Sequence, residues 1–243
     1  MASSLVYCDE RLVVINKQPG LSLVTSRRDP QAAAGRLLDS LSPETREAWG
    51  LQAASLRLVH RLDAGTTGLV LLARDADTHR ELVGFLNRRL MSKTYLALVW
   101  GHPAPPSGDY EWPLGPDRRD RRRMKADPDG RPSLSRYRTL ARGPHVSLLA
   151  LHPVTGRTHQ LRVHLAHAGH WIVGDDLYGG TRHRGVRETR LRAVLNPPHI
   201  LLHAWRIELP ATPRLQPSRF EAPLPPAFDA ALEKLEMTGA LLL

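Results

Sequence analysis

The chain has 243 residues, enough for one large domain or two small ones with a substantial core. Its single cysteine, Cys8, excludes an internal disulfide framework, and no apolar run approaches the roughly 20 residues that a membrane-spanning helix needs. A formal net charge of +10, with arginine as most of the 34 basic residues, favours a polyanionic partner, although a GC-rich genome would also favour arginine codons.

Hydrophobic patterning predicts many short strands and a few helices. The predicted strands span residues 11–17, 56–62, 69–73, 94–100, 145–151 and 200–209. The predicted helices span residues 31–41, a segment capped by Asp75 or Asp77, and residues 158–168 ending at Gly169, and residues 228–235 are predicted to form an amphipathic tail. Residues 101–133 are rich in Pro, Gly and Arg and are predicted to be an extended or mobile connection. Strands dominate without regular strand–helix alternation, which favours an α+β fold with a mixed, mostly antiparallel sheet.

An acidic residue follows a predicted strand where a glycine-containing turn begins. His60-Arg61-Leu62-Asp63 ends the apolar run, and Ala64-Gly65-Thr66-Thr67-Gly68 follows at once. Such a scaffold fixes a carboxylate while its turn stays open to a ligand, which is what a nucleophile requires. An aspartate that merely caps its own turn is the commoner outcome for an isolated segment of this kind.

Further segments in the same order resemble the RluA-type pseudouridine synthases, which isomerise selected uridines in structured RNA. They are Lys93-Thr94-Tyr95-Leu96-Ala97-Leu98-Val99 and Gly156-Arg157-Thr158-His159-Gln160-Leu161-Arg162-Val163-His164. The similarity runs from Leu12-Val13-Val14-Ile15-Asn16-Lys17 through Gly174-Asp175-Asp176-Leu177-Tyr178-Gly179 to Leu202-His203-Ala204. It implies the pseudouridine synthase fold, with helices and loops around a central RNA-binding cleft, as a single catalytic domain over residues 1–243.

The resemblance also implies roles for three residues. Asp63 occupies the position of the catalytic aspartate, which could attack the sugar, attack the base or move a ribose proton. Tyr95 would stack on the target uracil, whereas a strand tyrosine is more often a core residue. Arg162 would form an ion pair with Asp63 and keep it ionised and oriented; the alternative is a surface arginine on an amphipathic helix.

Several residues are candidates for substrate contacts. Arg61 and His60 flank Asp63, and a planar cation there could fill the stack vacated by an extruded base or contact a phosphate. Leu202 resembles the apolar residue that lines the uracil pocket, although such a leucine is usually core. The arginine-rich run that ends in Arg121, Arg122 and Arg123 would contact phosphates from a flexible loop, although such runs are usually only a solvated surface.

The expected reaction needs no cofactor, because it involves neither redox change nor group transfer. His159, His164, His167 and His170 cluster in sequence, but no metal-binding spacing is present, so no metal is expected. We expect a cytoplasmic monomer that acts on a stem-loop of ribosomal or transfer RNA. The catalytic pattern starts within the first dozen residues and no leader precedes it, so we expect neither export nor an N-terminal RNA-binding module.

Two alternatives and two departures accompany this interpretation. A non-catalytic RNA-binding protein would need only the basic surface, and an aspartate-dependent glycosidase would usually pair two carboxylates, of which only one lies in this motif. Family members typically have Asn-Lys-Pro where this chain has Asn16-Lys17-Gln18-Pro19, and Thr67 replaces the usual serine. Both departures leave the three catalytic candidates in place.

Overall fold

The computed structural model describes residues 2–24, 31–212, 215–216 and 218–241. The strands found there are β1 (Ser4–Cys8), β2 (Leu12–Lys17), β3 (Arg57–Leu58), β4 (Thr67–Ala73), β5 (Ser92–Trp100), β6 (Ser107–Tyr110), β7 (Leu114–Pro116), β8 (Met124–Ala126), β9 (Ser135–Gly143), β10 (Val146–Pro153), β11 (Leu202–Leu209) and β12 (Ser218–Glu221). The α-helices are α1 (Ala32–Asp39), α2 (Pro43–Ala48), α3 (Ala76–Asn87), α4 (Gln160–His167), α5 (Thr189–Val194) and α6 (Pro226–Lys234).

The chain divides into two compact units. The first comprises Met1–Lys93 and Ala204–Pro223, and the second comprises Thr94–His203 and Leu224–Leu243. Strand β11 contributes to both, because the unit boundary falls between His203 and Ala204. Both units are mixed α+β structures with antiparallel strand pairs, which confirms the predicted fold class.

In the first unit, β2 and β4 form the centre of the sheet and every residue of both strands is buried. They pair antiparallel, β1 adds to β2, and β12 adds to β11. One face of β4 packs through Leu69 and Leu71 on a core that includes Leu82 and Phe85 of α3. The Asp75 carboxylate caps α3 by accepting hydrogen bonds from the backbone N–H groups of residues 77 and 78, so the predicted cap and helix are confirmed.

In the second unit, the strands follow the order β5-β10-β9-β6, and β7 and β8 form a separate hairpin. Strands β5 and β10 are almost entirely buried, as their apolar sequences predict. The helix predicted at residues 158–168 is α4, and Gly169 follows it with a left-handed backbone (φ 83°). Within the described ranges of both units, no helix is long and apolar enough to cross a membrane.

Two predictions about elements are wrong. The strand predicted over residues 56–62 is a strand only at β3. The Val59 N–H still donates to the Leu71 carbonyl at 3.0 Å, but the Leu71 N–H donates to the ring Nε2 of His60 at 3.3 Å rather than to a backbone carbonyl. Residues 61–63 belong to no strand, so strand alternation does not determine where Arg61 and Asp63 point; Arg61 is exposed, Leu62 is buried and Asp63 is half-buried. The connection predicted at residues 101–133 instead contains the short strands β6, β7 and β8.

Candidate active site

Asp63 lies in a tight turn that enters β4. The Thr66 N–H donates to the Asp63 carbonyl at 3.1 Å and closes the turn, while Thr66 and Thr67 are buried behind it. The Gly20 N–H donates to the Ala64 carbonyl at 2.8 Å and ties the turn to the segment after β2. The backbone beside the half-buried Asp63 side chain is thus fixed from two directions.

Lys17, the last residue of β2, reaches the same turn from within the core. Its side chain is fully buried, and its ammonium group donates hydrogen bonds to the carbonyls of Gln18 at 2.9 Å, Leu21 at 3.2 Å and Ala64 at 3.0 Å. Burial lowers the pKa of Lys17 to about 8, while the charge of Asp63 opposes this shift. Lys17 therefore places a positive charge near the carboxylate and anchors the turn that presents it.

His60 fixes the approach to this turn from the other side. Its Nε2 accepts the hydrogen bond from Leu71 of β4, which requires an unprotonated nitrogen. Burial lowers the pKa of His60 to about 3, and the charge of Lys93 adds to the effect. The ring is therefore neutral at physiological pH and serves as a hydrogen-bond acceptor for the sheet.

Arg162 lies on α4 in the second unit and is held by Asp175. The Arg162 Nε donates to Asp175 Oδ2 at 2.8 Å and a terminal nitrogen donates to Oδ1 at 2.7 Å, so the contact is bidentate. The exposed fraction of the side chain is 13% for Arg162 and 1% for Asp175. Such an ion pair fixes one edge of the guanidinium group in a single plane.

A buried polar network anchors α4 to the strands beneath it. The Gln160 side chain accepts hydrogen bonds from the Thr155 hydroxyl and the Arg157 N–H, and it donates to the Leu134 carbonyl and the Ser135 hydroxyl. His164 is fully buried, with its Nδ1 3.0 Å from the same Ser135 hydroxyl and its Nε2 3.0 Å from the Trp112 carbonyl. Because Gln160 and His164 precede and follow Arg162 by two residues each, the network fixes the backbone that carries the arginine.

Tyr178 contacts Arg162 on a second side. Its ring centroid is 5.0 Å from the Arg162 guanidinium carbon and 5.1 Å from that of Arg123. The Tyr178 hydroxyl oxygen accepts a hydrogen bond from the Met124 N–H at 2.8 Å, and its hydrogen can donate to His159 Nδ1, 2.9 Å away. Tyr178 thus joins β8 to the residue before α4.

The other candidates of the second unit occupy different environments. Tyr95 is buried in β5 opposite Leu151, and Leu202 is buried at the start of β11. In the run between β7 and β8, Arg121 and Arg122 are exposed, whereas Arg123 is half-buried. Within the described residues, no group of three or more His, Cys, Asp or Glu side chains could hold a metal ion.

The structure divides the predicted site residues between the two units. His60, Arg61 and Asp63 belong to the first unit, and the predicted site residues from Tyr95 onward belong to the second. Within the second unit, Arg123 and Arg162 both contact the ring of Tyr178. The sequence reasoning assigned no role to Lys17, Asp175 or Tyr178. The signals were present, since a lysine ends the apolar run of β2 and Asp175 and Tyr178 belong to a segment already recognised as similar to the family.

Comparison with known proteins relates this chain to RNA-modifying enzymes. A family model described as RNA pseudouridylate synthase matches residues 11–167. An uncharacterized RNA pseudouridine synthase of Chloroflexus aurantiacus is 42% identical over 181 residues, which are 74% of this chain and 53% of that protein. The ribosomal large subunit pseudouridine synthase D of Nitrosomonas europaea is 33% identical over 231 residues, 95% of this chain and 64% of that protein. The chain thus spans between half and two thirds of the length of these two relatives.

Two further proteins match over most of both chains. The dual-specificity RNA pseudouridine synthase RluA of Pasteurella multocida is 35% identical over 205 residues, which are 84% of each chain. The solved structure of human RNA Pseudouridylate Synthase Domain Containing 1 superposes with a TM-score of 0.72 at 26% identity, covering 94% of this chain and 87% of the human one.

Proposed function

Because the chain belongs to the RluA-type RNA pseudouridine synthase family, we propose that it isomerises specific uridines to pseudouridine in structured RNA. The observation that carries this proposal is the family match over residues 11–167, which includes Asp63 in a turn that Lys17 and Gly20 hold in place. Fixed placement and partial exposure are the two properties that a catalytic carboxylate needs.

The reaction breaks the N1–C1′ bond, turns the base and forms a C5–C1′ bond. The proton at C5 is lost and N1 gains one, so the product has the composition of the substrate and no cofactor is consumed. We propose Asp63 as the essential catalyst, acting on the sugar, on the base or on a ribose proton. In each case the carboxylate must be ionised, and the nearby ammonium group of Lys17 attracts that form.

Tyr95 and Arg162 are proposed as the other two catalytic residues. A tyrosine ring can stack on uracil and exclude water from the reacting atoms. Arg162 is proposed to pair with Asp63 as well as with Asp175, since a guanidinium group has five N–H donors and the Asp175 contact uses only two of them. The bidentate contact with Asp175 would then orient Arg162 for its second partner.

RNA is the proposed partner, as a stem-loop of ribosomal or transfer RNA. Arg61, Arg121 and Arg122 are exposed and could contact its backbone, with Leu202 lining the uracil site. His60 would act by holding the strand next to Asp63, through its contact with Leu71. The rest of the proposal is a cytoplasmic, metal-independent monomer whose two units act as one catalytic domain.

The decisive experiment replaces Asp63. Asp63→Asn and Asp63→Ala should lower the isomerisation rate at least about 1,000-fold while RNA binding survives, because the change removes the carboxylate and little of the contact surface. Pseudouridines would be mapped by chemical adduct formation and primer extension in total RNA from cells with the wild-type gene, the variant or neither.

Asp39→Asn provides the matched control. This residue lies in the same unit, its side chain is 74% exposed and it loses the same charge, so the modification pattern should match that of the wild type. Wild-type modification in the Asp63 variants would reject the mechanism. Loss of RNA affinity with no modified position in any strain would instead favour a non-catalytic RNA-binding protein, and release of free base would favour a glycosidase.

A further inference from the structure

The arginines between β7 and β8 are not equivalent. Arg122 forms a bidentate ion pair with Asp120, at 3.0 and 2.7 Å, on the exposed surface. Arg121 is exposed as well. Arg123 instead lies over the ring of Tyr178, whose ring also contacts Arg162. Only Arg123 of these three has a direct structural route to a proposed catalytic residue.

We propose that Arg123 and Tyr178 are positioning residues that couple the β7–β8 hairpin to Arg162. The inference builds on the proposed role of Arg162 and adds a function for two residues outside the catalytic trio. Binding of an RNA phosphate to Arg123 would fix the hairpin against Tyr178, and Tyr178 would hold the face of the Arg162 guanidinium group in its working orientation.

The ring of Tyr178 carries the coupling, because both guanidinium groups contact it, and the hydroxyl contacts of Tyr178 help to hold that ring in place. The Tyr178 hydroxyl oxygen accepts a hydrogen bond from the N–H of Met124, the residue after Arg123. The same hydroxyl lies 2.9 Å from Nδ1 of His159, the residue before α4. His159 has a left-handed backbone (φ 56°), a conformation that costs a non-glycine residue about 1 kcal/mol and requires local support. Hairpin, tyrosine and helix start are therefore linked by direct contacts.

Two features of Arg123 point to an anion as its ligand. Its Nε is buried and has no hydrogen-bond partner among the described residues, an arrangement that costs about 1–3 kcal/mol until an acceptor arrives. Arg123 and Arg162 also place two positive charges on one ring. A phosphate bound to the accessible part of the half-buried Arg123 guanidinium group would offset this cost and reduce the repulsion between the two guanidinium groups.

The first test measures single-turnover isomerisation at saturating RNA. Arg123→Ala should lower this rate about 10-fold, since a small misplacement of a positioned group is costly, whereas a residue that contributes only affinity would change just the half-saturating RNA concentration. Tyr178→Leu removes the ring and should lower the rate similarly. In the Tyr178→Leu background, Arg123→Ala should change the rate less than about 2-fold, because the route to Arg162 is already broken.

Tyr178→Phe and Arg136→Ala are the matched controls. Tyr178→Phe keeps the ring, so the rate effect of Arg123→Ala should persist in that background. Arg136 of β9 is exposed and forms a long ion pair with Asp109, at 3.6 Å. Arg136→Ala removes the same charge as Arg123→Ala, but it should leave the isomerisation rate unchanged. Independent, multiplicative effects of Arg123→Ala and Tyr178→Leu would overturn the coupling, as would an Arg123→Ala effect on affinity alone.

A second measurement does not depend on catalysis. The Arg162 Nε–H group, which donates to Asp175, can be followed by nitrogen-15 NMR and identified by its loss in Arg162→Lys. Its signal should broaden in Arg123→Ala and Tyr178→Leu and stay unchanged in Arg136→Ala. An unchanged signal in the first two variants would overturn the coupling even if the protein modified no RNA, whereas absent turnover with the expected broadening would reject only the proposed activity.

Discussion

A lysine side chain that is completely buried normally requires a carboxylate partner, yet Lys17 donates its three hydrogen bonds to main-chain carbonyls. Carbonyl dipoles satisfy the donors and leave the charge uncompensated, except for the attraction of Asp63. Burial therefore dominates and the pKa falls to about 8. The turn next to Asp63 thus depends on a group that titrates close to physiological pH.

This titration predicts how stability changes with pH. The folded-state pKa of Lys17 is about 8, below the ordinary value of 10.5, so the unfolded chain binds more protons between these two values. The contribution of Lys17 to the free energy of unfolding should therefore rise as the pH rises, by about 2 kcal/mol between pH 7.5 and 9.5. Urea denaturation gives the free energy of unfolding of the wild type and of Lys17→Met at both pH values. The change with pH in the difference between the two proteins is the contribution of Lys17.

Lys234 serves as the comparison, because it is exposed at the end of α6. Lys234→Met should have the same pH dependence of stability as the wild type. If Lys17→Met also follows the wild type across this range, the buried ammonium group does not titrate there and the electrostatic account of the turn is wrong.

The packing of β4 against β11 requires a glycine at position 68. Gly68 has φ +107°, and a Cβ built there would lie 2.2 Å from the Ala204 carbonyl oxygen of β11. No side chain fits between these two backbones, which explains why the strand after the Asp63 turn begins Thr67-Gly68.

Gly68→Ala should lower the free energy of unfolding by more than about 3 kcal/mol, since it combines backbone strain with a steric clash. Gly20→Ala separates the two causes: Gly20 has φ +88° but nothing within 4 Å of its Cβ position, so it should lose only about 1 kcal/mol. Chemical denaturation of both variants tests this, and equal losses would contradict the close approach to β11.

The elements also differ in how far the sequence predicts them. The buried strands β2, β4, β5 and β10 have long apolar runs, and α3 has a capping aspartate, so local patterns suffice for them. Strands β6 to β8 have three or four residues each, with sequences such as SGDY and MKA. Pairing with the later strand β9 orders β6, and β7 and β8 order each other as a hairpin. Strands this short have too few residues for a hydrophobic pattern to predict them.

A similar limit applies to the site. The turn around Asp63 is marked by neighbouring residues, and its catalytic role was predicted from an ordered set of motifs. The contact of Arg162 with Asp175 could not be predicted in this way, because Asp175 lies 13 positions away and the contact exists only once α4 is packed. The family resemblance predicted Asp63 as a partner of Arg162, which stays a prediction, and the structure adds Asp175 as a carboxylate that holds the arginine.

Across the whole molecule, the net charge of +10 should draw RNA toward any basic surface. The arginines between β7 and β8 concentrate part of that charge, with Arg118 and Arg121 both exposed. Replacing both by alanine should reduce the slope of log affinity against log salt by about 1.5, because each phosphate contact contributes about 0.7–0.9. Filter binding at 50 to 300 mM salt measures this slope.

Arg80→Ala combined with Arg88→Ala removes the same charge from α3 and the residue that follows it, where both side chains are exposed. A salt slope that falls equally in both double variants would mean that total charge, and no particular contact, sets the affinity. A slope that falls only for Arg118 and Arg121 would locate the RNA backbone at the hairpin.

The return of the chain through β11 and β12 has a consequence for biosynthesis. The unit that carries Asp63 takes residues Ala204–Pro223 into its fold, so a ribosome must first translate Thr94–His203. At roughly 5–20 residues per second, this delay lasts on the order of ten seconds. Throughout that interval the nascent chain exposes an edge of β4 that β11 will later cover, which makes this period the stage at which chaperone binding or aggregation competes with maturation.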